Sequence, residues 1–155
     1  NIKRVGINMA DDNIILQHIK NKCWEDAEVI LKSKEAKILA NDEDDNGNFP
    51  LHFAIGYGAP DSLVLALLRA NPGAARAHGT DYWLPLHVAA MWGASSEVIE
   101  ALIREYPEAL DDEGEGGIKG RTPKHFSPRF KGKSREMLER PAQEWASLIA
   151  SQAPS

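Results

Sequence analysis

Apolar residues recur at helical spacing along most of the chain. Ile14, Ile15, Leu16 and Ile19 are followed by Trp24, Ala27, Val29, Ile30 and Leu31. Gaps of three and four positions predict two short amphipathic helices, with Asn21-Lys22-Cys23 as the turn between them. Leu51, Ala54 and Ile55 predict a third helix, and Leu63, Val64, Leu65, Leu67 and Leu68 a fourth. The same pair then returns as Leu86 and Ala89, and as Val98, Ile99, Leu102 and Ile103. Pro50 and Pro85 sit where a first helix of each pair should open, and a missing N–H costs nothing in the first turn. Gly58 and Gly93 stand where those helices should end. Pro60 and the N-cap residue Ser95 suit the starts of the second helices, which Asn71-Pro72-Gly73 and Pro107 should stop.

Polar stretches separate these pairs. Asn41 to Asn48 reads N-D-E-D-D-N-G-N, and its Asn46-Gly47 pair suits a tight turn. Ala77 to Leu84 carries Tyr82 where the neighbouring stretches carry Gly47 and Gly120. Asp111 to Arg121 is longer and glycine-rich. Beyond it Thr122-Pro123-Lys124-His125 opens a turn that Pro128 should break. Ser134 should cap a helix holding Met137 and Leu138. Pro141 should start a last helix with Trp145, Leu148 and Ile149 on one face. Residues 1–10 read as an irregular lead-in, and Ser151 to Ser155 as a frayed end. Trp24 should wedge between the first two helices.

The pairs are copies of one unit. Phe49 to Gly58 reads F-P-L-H-F-A-I-G-Y-G, and Leu84 to Gly93 reads L-P-L-H-V-A-A-M-W-G. His52 and His87 lie 35 residues apart, as do Pro72 and Pro107. A degraded copy, T-P-K-H-F-S, places His125 another 38 residues on. A period of this size marks a stacked-repeat architecture. The stretches resemble the T-P-L-H-x-A core of the ankyrin repeat. That resemblance implies an all-α solenoid of stacked helix-turn-helix units with β-hairpin-like finger loops. It divides a single domain, 1–155, into an N-terminal capping repeat (11–41), two full repeats (42–76 and 77–110), and a degenerate repeat with a C-terminal cap (111–151). Leu51, Leu67, Leu86, Ala89, Ile99 and Leu102 should be buried between layers. The threonine usual in the family is replaced by Phe49 and Leu84, so backbone carbonyls are the expected partners of His52 and His87.

Charge and cysteine content narrow the setting. The net charge is −5, but it is unevenly spread: residues 1–118 hold 10 Lys+Arg against 20 Asp+Glu, and residues 119–140 hold 8 against 2. The acidic body argues against nucleic acid as a partner. The basic segment suits an acidic protein, a phosphate or an anionic membrane surface touched peripherally through residues 119–135. Cys23 is the only cysteine, which forbids an intramolecular disulfide and favours a reducing compartment. No apolar run approaches the roughly 18 residues of a membrane span, and no signal-peptide pattern opens the chain. The expected location is intracellular and soluble: the cytoplasm, or an organelle after removal of a presequence.

No constellation for catalysis appears. Asp42 to Asp45 do not match the calcium-loop spacing, and Gly114, Gly116, Gly117 and Gly120 do not match a phosphate loop. Cys23 has no motif around it, and the repeat histidines are too far apart to share a metal. No enzyme activity, cofactor or metal is expected. Ser127-Pro128 has the pattern of a phosphorylation site. The resemblance implies instead a partner-binding concave face. On the repeat register it comprises Asp45, Asn46, Asn48, Gly56 and Tyr57 in one unit. The next unit supplies Thr80, Asp81, Tyr82, Trp83, Met91 and Trp92. Lys119, Arg121 and Lys124 should form a basic rim. The alternative for Trp92 is to fold back on its own finger, onto Trp83. The expected function is non-catalytic binding of another protein or complex. The alternative is a permanently docked small subunit of a larger assembly, including a membrane-associated one, that uses the basic C-terminal segment.

Overall fold

The computed structural model describes residues 13–114 and 121–153. The lead-in, Lys119 and the finger glycines Gly116, Gly117 and Gly120 lie outside the described residues. The helices are α1 (Ile14–Lys20), α2 (Trp24–Ile30), α3 (Ala36–Ala40), α4 (Pro50–Gly56), α5 (Asp61–Ala70), α6 (Pro85–Trp92), α7 (Ser96–Glu105), α8 (Gly132–Glu139) and α9 (Ala142–Gln152). Short 3-10 segments occupy Pro72–Arg76, Thr80–Tyr82, Pro107–Asp111 and Pro123–Arg129. No β-strand occurs among the described residues.

The helices form two rows. α1, α4, α6 and the Pro123–Arg129 turn stack on one another as an inner row. α2, α5 and α7 form the outer row, which α8 and α9 close by packing on α7. Each unit touches its neighbours in sequence, as in a solenoid whose stability is a sum of neighbour interfaces. The core lies between the rows. Leu51, Leu67, Leu86, Ala89, Ile99 and Leu102 are all buried there, as the repeat register requires. Local chemistry fixes the helix ends. Pro50 and Pro85 open α4 and α6, while Gly58 and Gly93 take the left-handed φ of 77° and 78° that turns the chain toward the next helix. The Ser95 side chain accepts from the Val98 amide and caps α7.

The motif histidines stitch one unit to the next. His52 Nδ1 accepts from the Phe49 amide at 3.0 Å, so its Nε2 carries the proton and donates to the Ala77 carbonyl at 2.8 Å. His87 repeats the arrangement with the Leu84 amide (3.0 Å) and the Asp112 carbonyl (2.8 Å). The backbone thus replaces the missing threonine. His125, in the degraded copy, is exposed.

Burial pushes the pKa of both His52 and His87 below the usual imidazole range, against the smaller opposing pull of their backbone carbonyls. The native state therefore binds fewer protons than the unfolded chain below about pH 6.5. These two histidines add nothing to the pH dependence above that value, and they withdraw stability as pH falls below it. Urea unfolding midpoints should accordingly be flat from about pH 8 to about pH 6.5 and decline beneath. A midpoint that rose on acidification across this window would contradict neutral, buried rings.

Several sequence expectations change, the first being the frayed end: Ser151 and Gln152 belong to α9, and Pro154 and Ser155 lie outside the described residues. Pro128 does not break the turn; it lies inside the Pro123–Arg129 segment. Ser134 does not cap α8, because Gly132, at φ 56°, turns the chain into the helix two residues earlier. α3 has no counterpart in the periodicity: only Ala36, Leu39 and Ala40 bury, too few apolar positions to show a period. Ser127 is buried and donates to Glu139 Oε1 at 3.0 Å, which removes it from the surface a kinase would need. Trp24, expected as a buried wedge, is only half-buried: it packs against the core and also lines a surface hollow with Lys22, Cys23 and Pro60.

Candidate partner-binding face

The fingers are rigid turns built by side chains. Asp44 Oδ1 accepts from the amides of Asn46 (2.9 Å) and Asn48 (2.8 Å), which closes the first finger as an Asx-type turn. Gly47 takes φ 81° at its tip. Asn48 then crosses to the second finger. Its Nδ2 donates to Thr80 Oγ1 at 2.7 Å and its Oδ1 accepts from the Thr80 amide at 3.0 Å. Gly79 has no room for a side chain, since a Cβ there would collide with the Asn48 amide group. Of the expected binding positions, Asn48 is therefore engaged inside the protein, and Thr80 with it.

The second finger holds two residues in the left-handed region: Asp81 and Tyr82, each at φ 57°. Such a conformation costs an L-residue about 1–2 kcal/mol, and strain of this kind gathers at functional positions. It is also what the sequence comparison hinted at, since Tyr82 replaces glycine in the neighbouring fingers. The result is a turn that carries both side chains outward: Tyr82 is 55% exposed, and Asp81 is exposed too. Among the described residues no cation pairs with Asp81 or Asp45.

Trp83 and Trp92 part company. Trp83 stacks on His87, with ring centroids 6.1 Å apart, and meets Phe126 edge-on at 6.4 Å, so it is half-buried between fingers and inner row. Trp92 makes no ring contact with it among the described residues. It stands 66% exposed at the end of α6, and Tyr57, at the same repeat position in the preceding unit, is 40% exposed. Met91 is half-buried, and its carbonyl accepts from Arg129 at 3.3 Å.

Two hollows flank these aromatics. One, of about 280 Å³, is lined by Phe53, Tyr57, Trp83, Val88 and Trp92, with Asp81 at its finger side. The other, of about 350 Å³, lies toward the outer row and includes Asp61, Val64 and Val98. Both share Gly56, Tyr57 and Trp92. Each contains a single carboxylate and no lysine or arginine. Phe53, Val88 and Asp61 were not among the residues expected on this face. They lie one residue after each motif histidine and at the first turn of α5, a repeated placement that could have flagged them.

The basic segment is partly turned inward. Lys133 pairs with Glu100 at 3.3 Å, Arg135 with Glu139 at 2.9 Å, and Arg129 lies over the Phe126 ring. Of these residues, Lys133, through Glu100 of α7, and Arg129, through the Met91 carbonyl of α6, tie the C-terminal cap to the third unit, whereas the Arg135 pair lies within α8. Arg121 and Lys124 are exposed. Elsewhere, among the described residues, His18, Cys23 and Asp26 bring three metal-type ligand atoms within 4.8 Å of one another in the N-terminal cap. The sequence reading left Cys23 without companions because the turn at Lys22, with φ 56°, is what folds it back toward His18. Asp42 to Asp45 form no such cluster.

No helix of the described residues is long and apolar enough to cross a membrane. A search of curated proteins found no match. Against family models, residues 33–89 match that of ankyrin repeats (many copies), a span holding the first finger, α4, α5, the second finger and the start of α6. Ankyrin repeats are generally protein–protein interaction modules, and typically non-catalytic. Residues 33–89 are thus similar to ankyrin repeats, and the described residues around them form an all-α two-row stack consistent with an ankyrin-repeat solenoid.

Proposed function

We propose that the chain is a non-catalytic interaction module that grips a protein partner with the face formed by its fingers and inner helix row. The repeats doing so are 42–76 and 77–110, held between caps at 11–41 and 111–151. One observation carries this reading: Tyr57 and Trp92, at equivalent repeat positions, stand exposed side by side on the walls of two hollows. Large aromatic area left open at a concave site is what an interface anchor looks like. Asp45, Asn46, Asp81 and Tyr82 supply the surrounding polar contacts, and Arg121, with Lys119 and Lys124, a basic rim that governs association rate more than affinity.

The permanently docked subunit draws less support. Its basic contact segment has Arg129, Lys133 and Arg135 already bonded within the protein.

The test is affinity capture with the wild-type chain and with Trp92→Ala. Truncation should weaken binding of a captured partner by about 2 kcal/mol or more while the melting temperature stays within about 2 °C. Unchanged capture would move the interface elsewhere, and an unfolded variant would make Trp92 a core residue.

A further inference from the structure

The chemistry of the smaller hollow goes beyond a generic interaction face. Its walls are aromatic: Phe53, Tyr57, Trp83 and Trp92. Its one charge is the exposed carboxylate of Asp81, on a strained turn and unpaired with any cation of the described residues. The finger beside it runs Asp42-Glu43-Asp44-Asp45, and the finger beyond carries Asp111, Asp112 and Glu113. The ring imidazole at its floor, His52, is buried and neutral, so it offers no positive charge.

We propose that this hollow receives one cationic side chain, an arginine or lysine of a basic partner segment, between the Tyr57, Trp83 and Trp92 rings with Asp81 as its counter-ion. This rests on the partner-binding reading above and names the chemistry of the partner. Three alternatives compete for the space. An acidic side chain would meet Asp81 and the finger carboxylates and be repelled. An aliphatic anchor would cover the rings but bury Asp81 without a partner, which is costly for a charge. A cation satisfies both walls: ring faces attract it through their quadrupole, and the attraction grows as water leaves. The fold already contains the motif, with Lys20 Nζ 5.4 Å from the Phe53 ring centre and Arg76 and Arg129 over Tyr106 and Phe126. The neighbouring finger carboxylates extend the same preference to flanking basic residues, so the fitting partner is a basic stretch rather than an isolated charge.

The experiment titrates the full chain with short fluorescein-labelled peptides of alternating arginine and glycine, leucine and glycine, or glutamate and glycine. Binding is read by anisotropy. The arginine peptide should bind best and the glutamate peptide should not bind. Asp81→Asn keeps a residue tolerant of left-handed φ, so its fold should survive; it and Trp92→Ala should each weaken arginine-peptide binding about tenfold, the size of a partly desolvated cation–π or ion-pair contact. Both variants should melt with the wild type. Equal binding of the arginine peptide to wild type and both variants would place the attraction on the fingers at large and overturn the pocket. A preference for the leucine peptide that still needed Trp92 would overturn the cation while leaving the interaction face standing. Capture of a protein partner that ignored Trp92 would instead overturn the interaction face itself.

Discussion

Truncating Trp145 to alanine is expected to destabilise the fold by about 3–5 kcal/mol, the range for a large buried aromatic. Trp145 is 1% exposed, though it lies on the last helix of the chain. Its Nε1 donates to the Met137 carbonyl at 3.0 Å, and the guanidiniums of Arg104 and Arg140 lie 5.6 and 5.0 Å from its ring centre. One side chain therefore joins α7, α8 and α9. Its loss leaves a cavity at the end of the stack, an unpaired carbonyl and two cations with nothing to cover. Chemical denaturation of Trp145→Ala and Trp145→Phe separates these effects. The phenylalanine should restore most of the loss, leaving about 1–2 kcal/mol for the missing N–H. A loss below about 1 kcal/mol for the alanine variant would mean that α9 is an appendage rather than a cap.

Leu86→Ala is expected to cost about 2–5 kcal/mol. Leu86 is 1% exposed at the start of α6, in the middle of the inner row, where α4 packs on one side and the Pro123–Arg129 turn on the other. Removing its isobutyl group opens space on an interface between units, which the packed surroundings refill only in part. Urea denaturation measures this directly. A cost below about 1 kcal/mol would contradict a stack held by neighbour interfaces.

The repeated parts of the molecule were legible in the sequence because repetition reinforces weak signals. Pro50 with Pro85, Gly58 with Gly93 and His52 with His87 each gain meaning from the other, so α4 to α7 and their buried leucines follow from the register alone. Where the chain stops repeating, legibility falls. α3 has no twin and too few apolar residues. The entry into α8 turns on the backbone of a single glycine, Gly132, which no periodicity reports. The candidate face was half readable. The register located Tyr57 and Trp92, but it could not say that Trp83 would be drawn onto His87 and Phe126, or that Asn48 would be held by Thr80, because both depend on contacts between different fingers. The hollow depends on the same contacts, since it exists only where neighbouring units leave Gly56 uncovered between two aromatic walls.

The histidine stitches give the stack a direction. Each buried imidazole finds its acceptor 25 residues later in the chain, in the unit that follows. Peeling away the N-terminal cap breaks apolar contacts and the Asn71 and Ser62 side-chain bonds but leaves both rings answered. Peeling it from the C-terminal end strands His87 as soon as Asp112 departs, with a buried donor and no carbonyl to meet it, at about 1–3 kcal/mol. The two ends are therefore not equivalent as places to shorten or to graft. New material joined ahead of α1 leaves both histidine bonds untouched, whereas any exchange beyond Pro107 has to bring a carbonyl to His87.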